Sequence, residues 1–321
     1  MRNGLYQFQR YAPPEIFFWM AMLLAFFSIL LPGKELPDAH GGFVAAAAIY
    51  DEPRENPYQA IELAARAAYV FDARAGKTLF AKNETEPLAL ASITKIMTAA
   101  VALSLIPETT YITIAPQAIK EEGDSGLVVG ERWLLRDLLK FMLLESSNDA
   151  AAAVSSAIGE MLAVRALSDE DHRRLFIEKM NEEAARLGLS STRFFNESGL
   201  DIDETHPGAV SSGKETARLL AYALLQFPAV FAETRWSELE FGNENGGRYS
   251  AQNTNKEVDT LPLLIASKTG YTDLAGGNLV IAFDAGFNYP IVISVLGSTI
   301  DERFNDVRKL VWATLEFLQQ N

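Results

Sequence analysis

The order in which strand and helix signals appear along the chain constrains its fold most. Toward the C-terminus, Leu263 to Lys268, Asn278 to Asp284 and Ile291 to Ser298 are apolar runs separated by turn residues, the pattern of strands. Arg303 to Leu318 follows, with Val307, Leu310, Val311, Leu315 and Leu318 on one helical face. Near the other end, Ala68 to Asp72 and Thr78 to Lys82 flank a loop containing Gly76, a hairpin signal. The middle reads as mostly helical: Ile93 to Leu105, Leu134 to Leu144, an alanine-rich run starting near Ala150, Arg173 to Leu187 capped by Gly188, and Thr216 to Leu225. Tyr58 to Arg66 is expected to form a short helix and Thr110 to Ile114 a short strand. Strands early, helices in the middle and strands late imply an α/β chain of the α+β type. One antiparallel sheet is assembled from both ends, flanked by helices, with an all-helical subdomain inserted.

Composition narrows the chemistry. The 321 residues are 49% hydrophobic and 22% charged, enough for a large core. A net charge of -14 opposes nucleic-acid binding, which needs clustered cations. There is no cysteine, which excludes disulfides, thiolate catalysis and cysteine-metal sites. His40, His172 and His206 are the only histidines. They form no close ligand pair, so neither a metal nor a cofactor is expected. They also leave a Ser-His-Asp triad without support, and Gly123-Asp124-Ser125-Gly126 is read as a turn rather than a protease nucleophile loop.

Ile16 to Leu31 carries no charge, and Ile16 through Gly33 spans 18 residues, the threshold for crossing a bilayer. Arg2 and Arg10 precede it and no acid lies among residues 1–14, so that end is expected in the cytoplasm and the remainder outside it. Small residues at Ala45 to Ala48 lie far from the run for a cleavage site, which favours an uncleaved anchor over a signal peptide. The expected organisation is a cytoplasmic end (1–14), an anchor or signal peptide (15–33), a linker (34–57) and a folded domain (58–321).

Three short motifs carry chemistry. Ser92-Ile93-Thr94-Lys95 opens the first helix. Residues three apart share a helical face, so a lysine with a lowered pKa has reach to act as base for a serine. The same residues describe an ordinary N-cap. Ser146-Ser147-Asn148 sits between two helices, where it suits capping, a proton-relaying hydroxyl with a substrate-holding amide, or both. Lys268-Thr269-Gly270 ends a strand. A cation and a hydroxyl there suit a substrate carboxylate, and Gly270 leaves room for a ligand at the strand edge; a plain strand end is the other reading. The second S-x-x-K, Ser211 to Lys214, is explained as a capping box of Ser212 with Glu215.

In the order S-x-x-K, S-x-N, K-T-G these motifs closely resemble the set of penicillin-binding proteins and class A β-lactamases. From about Ala68 onward the chain resembles the low-molecular-mass penicillin-binding proteins, the serine-type D-alanyl-D-alanine carboxypeptidases of peptidase family S11. Asn196-Glu197-Ser198-Gly199-Leu200 and Asn253-Thr254-Asn255 share the likeness. The resemblance implies a β-lactamase/transpeptidase-like fold over 58–321. It implies that Ser92 is the nucleophile, Lys95 the general base and Ser146 part of the proton network. Asn148, Lys268, Thr269 and Arg303 would bind substrate, and the backbone N–H groups of Ser92 and Tyr271 would form an oxyanion hole. Peptidoglycan stem peptides would be the substrates and β-lactams the inhibitors, at the outer face of the cytoplasmic membrane. An N-terminal anchor would replace the C-terminal β-domain and amphipathic anchor of many relatives. The alternatives are a DD-endopeptidase of the same family, a β-lactamase, for which no E-x-x-L-N context is found, and a non-catalytic envelope scaffold.

Overall fold

A computed structural model of the chain describes residues 55–320. The apolar run Ile16 to Leu31 and nearly all of the expected linker lie outside these residues. Among the described residues, no helix is long and apolar enough to cross a membrane.

Both ends of the described chain build the central sheet. β1 (Ala67–Asp72) and β2 (Lys77–Lys82) form a hairpin. β3 (Leu264–Thr272), β4 (Gly276–Asp284) and β5 (Pro290–Ser298) form a meander. The order is β3-β4-β5-β1-β2, antiparallel throughout. β1 and β5 join the two halves, from Ala67 opposite Leu296 to Asp72 opposite Ile291. Side chains alternate between two cores. Tyr69, Val280, Ala282, Val292 and Leu296 face the helical half, while Val70, Leu279, Ile281, Ile293 and Val295 face the opposite layer. Burial on both faces explains why these strands read as continuous apolar runs.

The helical half contains α1 (Lys95–Leu105), α2 (Leu135–Glu145), α3 (Asn148–Leu162), α4 (Asp169–Arg186) and α5 (Gly213–Gln226). α6 (Glu302–Gln320) covers the other face with Phe304, Val307, Leu310 and Val311. α1 is apolar all round, and Lys95 to Ala102 are all buried; such a helix belongs in a core. α3 presents alanines, and at Gly159 it meets α4 so closely that a Cβ would lie 1.9 Å from the His172 carbonyl oxygen.

Three differences from the sequence reading have physical causes. Tyr58 to Arg66 is not helical, because its groups bond elsewhere. The Ala64 and Ala65 amides donate to the Asp306 carboxylate, and Lys82 Nζ donates to the Leu63 and Ala65 carbonyls. α4 starts at Asp169, four residues earlier than expected, because Ser168 caps it. Ser212 caps α5, but Glu215 does not complete the box; its carboxylate instead holds the Ser191 amide and the Thr192 hydroxyl. A hairpin, Glu238–Gly242 with Arg248–Gln252, escaped the sequence reading. It packs Phe241 and Tyr249 around Phe141, with Trp133 against Phe141 and Tyr249.

Candidate active site

Ser92 lies in a single 3-10 turn, Ala91–Thr94, that feeds α1. The tighter winding eclipses residues three apart, and Lys95 Nζ sits 2.9 Å from Ser92 Oγ. Ala91 takes φ 49°, a left-handed conformation that costs an alanine about 1–3 kcal/mol. Close packing enforces it. A Cβ on Gly199 would lie 1.9 Å from the Ala91 carbonyl oxygen, and one on Gly270 would lie 2.7 Å from the Leu90 carbonyl oxygen. Asn278 Nδ2 donates to the carbonyls of Ala89 and Leu90 at 2.9 and 3.0 Å. Gly270 therefore makes room for the serine turn itself, not for a ligand as its position at a strand edge suggested.

Lys95 is fully buried. Its ammonium has acceptors in Ser92 Oγ, Asn148 Oδ1 at 2.6 Å and the Ser198 carbonyl at 2.9 Å. Burial lowers its pKa to about 7, against the opposing pull of Glu197 and Glu121. A neutral amine here keeps two donors for Asn148 and Ser198 and turns its lone pair toward Ser92 Oγ. That is the geometry of a base.

The turn between α2 and α3 supplies the second wall. Ser146 ends α2 in a left-handed conformation, φ 65°. Its Oγ accepts from Lys268 Nζ at 2.9 Å. Ser147 caps α3 through the Ala150 amide, so capping and the candidate site coexist in one turn. Asn148 is held at both ends of its amide: Oδ1 accepts from Lys95, and Nδ2 donates to the Glu122 carbonyl at 2.6 Å. The second Nδ2 hydrogen is left for another acceptor.

β3 forms the third wall as the edge strand of the sheet. Lys268 is buried, and its pKa lies well below the usual lysine value because of burial, then Lys95, then Arg303. Thr269 Oγ1 pairs with Thr254 Oγ1. Arg303 lies behind the strand and donates to the Gly270 carbonyl at 2.8 Å; burial lowers its pKa. Tyr271 follows at the cleft with its side chain half exposed. Lys95 thus joins Ser92 and Asn148, Lys268 joins Ser146, the 146–148 turn carries a member of each group, and Thr269, Tyr271 and Arg303 lie along the adjoining strand and behind it.

Several participants were not visible as motifs. Ser198 and Glu122 contribute main-chain carbonyls, which any residue type provides. Ser125, read as part of a turn, bonds Ser147 Oγ at 2.7 Å and Asp149 Oδ2 at 3.0 Å. The glycine at 199 was the available signal, since its φ of 82° and its contact with Ala91 both require it.

A five-stranded antiparallel sheet, a helical half and a serine–lysine pair between them define the β-lactamase/transpeptidase-like class. A family model described as D-alanyl-D-alanine carboxypeptidase, peptidase S11, matches residues 54–299, and the chain belongs to that family. It is 29% identical to the D-alanyl-D-alanine carboxypeptidase DacF of Bacillus subtilis over 253 residues, 77% of this chain and 61% of that protein. It is 31% identical to a D-alanyl-D-alanine endopeptidase of Pseudomonas aeruginosa over 229 residues, 68% of this chain and 67% of that protein. The chain thus spans about three fifths of the Bacillus relative's length. Among solved structures, the Streptomyces K15 DD-transpeptidase superposes with a TM-score of 0.70 at 26% identity, covering 80% of this chain and 98% of the other. The ampicillin-bound penicillin-binding protein D2 from Listeria monocytogenes gives 0.63 at 26% identity, covering 79% and 98%.

Proposed function

We propose that the protein is a serine-type D-Ala-D-Ala carboxypeptidase acting on peptidoglycan stem peptides. The observation that carries this reading is Lys95, buried, with a pKa of about 7 and 2.9 Å from Ser92 Oγ. Neutral Lys95 takes the Ser92 proton as Oγ attacks the carbonyl carbon between the two D-alanines. The oxyanion is held by the backbone N–H groups of Ser92 and Tyr271. Collapse breaks the C–N bond, and the leaving amine takes up the proton that Lys95 received, relayed by the Ser146 hydroxyl that Lys268 holds, which leaves Lys95 neutral. Water then hydrolyses the acyl-enzyme, with Lys95 again as base. Asn148 holds the substrate backbone, Lys268 and Thr269 draw in the terminal carboxylate, and Arg303 adds its positive charge from behind β3. A β-lactam acylates the same serine in place of the peptide.

Family membership supports the reaction class. The ampicillin-bound relative supports β-lactam binding. Peptidoglycan lies outside the cytoplasm, which fits export with residues 15–33 as anchor or signal peptide, 34–57 as linker and 58–321 as catalytic domain. The Pseudomonas relative favours a second reading, a DD-endopeptidase of the same family. Incubating the protein with a D-Ala-D-Ala peptide tests the first reading: D-alanine is released, and a Ser92→Ala control releases none. Equal traces from both proteins would refute it. Digestion of purified sacculi separates the two readings, because an endopeptidase consumes cross-linked dimers and a carboxypeptidase consumes pentapeptide monomers.

A further inference from the structure

We propose that Arg173 is a positioning residue for this reaction, clamping together the two backbone segments that orient Asn148 and Lys95. The inference rests on the serine–lysine reading of the site. Arg173 projects from α4, outside the three motifs. Its Nη1 pairs with Glu121 at 2.7 Å, and its Nη2 pairs with Glu197. Each glutamate immediately precedes a carbonyl that enters the site. Glu121 precedes Glu122, whose carbonyl accepts from Asn148 Nδ2 at 2.6 Å. Glu197 precedes Ser198, whose carbonyl accepts from Lys95 Nζ at 2.9 Å. One planar guanidinium thus fixes both partners of the base through a single fork.

Both segments are also tied to the site. The 121–126 loop reaches the S-x-N turn through Ser125, which bonds Ser147 and Asp149. The 196–199 turn is held by the Thr98 hydroxyl, which donates to the Glu197 carbonyl at 2.6 Å, and by Gly199 against Ala91. The Glu197 side chain is completely buried; burial raises its pKa and Arg173 pulls it back down, so its charge depends on Arg173 for a partner. The clamp also bears on the protonation of Lys95. The charged groups around that amine are Lys268 from β3, Glu197 and Glu121 from the clamped segments and Arg173 from α4. Arg303 acts on Lys268 from behind β3, and Asp149 of α3 faces Ser125. Glu197 and Glu121 both favour the ammonium form.

The test is the pH dependence of Ser92 acylation by a fluorescent penicillin, in the full chain and three variants, with circular dichroism reporting the fold. Arg173→Met is expected to slow acylation at least tenfold at neutral pH. Glu121→Gln and Glu197→Gln each remove a charge that favours the ammonium, so each should move the acid limb about 0.5 pH unit or more to lower pH. A merely structural contact would lower the amplitude without moving the limb. Wild-type speed in Arg173→Met, or unmoved acid limbs in both glutamine variants, overturns the proposal. If Arg173→Met fails to fold, Arg173→Lys decides: it keeps the charge but cannot span both glutamates as the guanidinium fork does, so acylation should slow at least tenfold, and wild-type speed overturns the proposal. An unlabelled wild-type protein would instead overturn the serine–lysine reading itself.

Discussion

Lys95 has to be neutral to accept a proton from Ser92, and burial brings its pKa to about 7. Below that pKa the amine is an ammonium with no lone pair for Ser92. The kcat/KM for D-alanine release is therefore expected to fall with decreasing pH along an acid limb centred near 7, read from rates at fixed low substrate. A limb near 10 would mean that the lysine is solvated during turnover. Asn148 is the second point of leverage, because its carboxamide faces Lys95 on one side and the Glu122 carbonyl on the other. Asn148→Ala removes an acceptor from Lys95 and a donor from the cleft. Acylation by penicillin should fall roughly a hundredfold, the range for losing one preorganised polar group, with the Ser92 adduct still detectable by intact mass.

At the level of elements, the serine turn is pressed into shape from two sides. Gly199 takes φ 82° and packs on the Ala91 carbonyl, while Gly270 packs on the Leu90 carbonyl. Gly199→Ala adds a methyl group at 1.9 Å from a backbone oxygen that cannot step aside. It should cost at least about 3 kcal/mol of stability and remove penicillin labelling together, measured by urea melts and gel fluorescence. Labelling that survives such destabilisation would mean that the turn does not depend on this packing. The same region marks the limit of what the residues alone disclose. Ser92, Lys95, Ser146, Asn148 and Lys268 are legible because it is their side chains that meet in the cleft and their spacing is short within each motif. The three late strands and the joining of both chain ends in one sheet are legible because buried strands read as unbroken apolar runs; the order of the strands is not. The left-handed Ser146, the 3-10 winding at Ser92 and the carbonyls of Glu122 and Ser198 are not legible. Each is imposed by tertiary packing: any residue type supplies the carbonyls, and the left-handed serine is held against its own backbone preference.

Across the whole molecule, the sheet separates two cores of unequal consequence. The helical side contains α1, whose buried start carries Lys95 into the interior. The other side is closed by α6, where Val307 is fully buried against the sheet face that looks away from the cleft. Val307→Ala should therefore lower stability by about 1–3 kcal/mol in denaturant melts. Its acylation rate below the melting transition should match the wild type; a large loss of rate would show that the two layers are coupled through the sheet. Assembly of that sheet from both ends brings the serine turn, Ala91–Thr94, which follows β2, against β3, Leu264–Thr272, from the far end of the described chain. We infer that this convergence makes Ser92 the residue that is acylated, which intact-mass analysis after exposure to penicillin, followed by peptide mapping, checks. One adduct per chain is expected, located on the peptide containing Ser92 and absent from Ser92→Ala. An adduct on any other residue, or none on a folded wild-type protein, would contradict it.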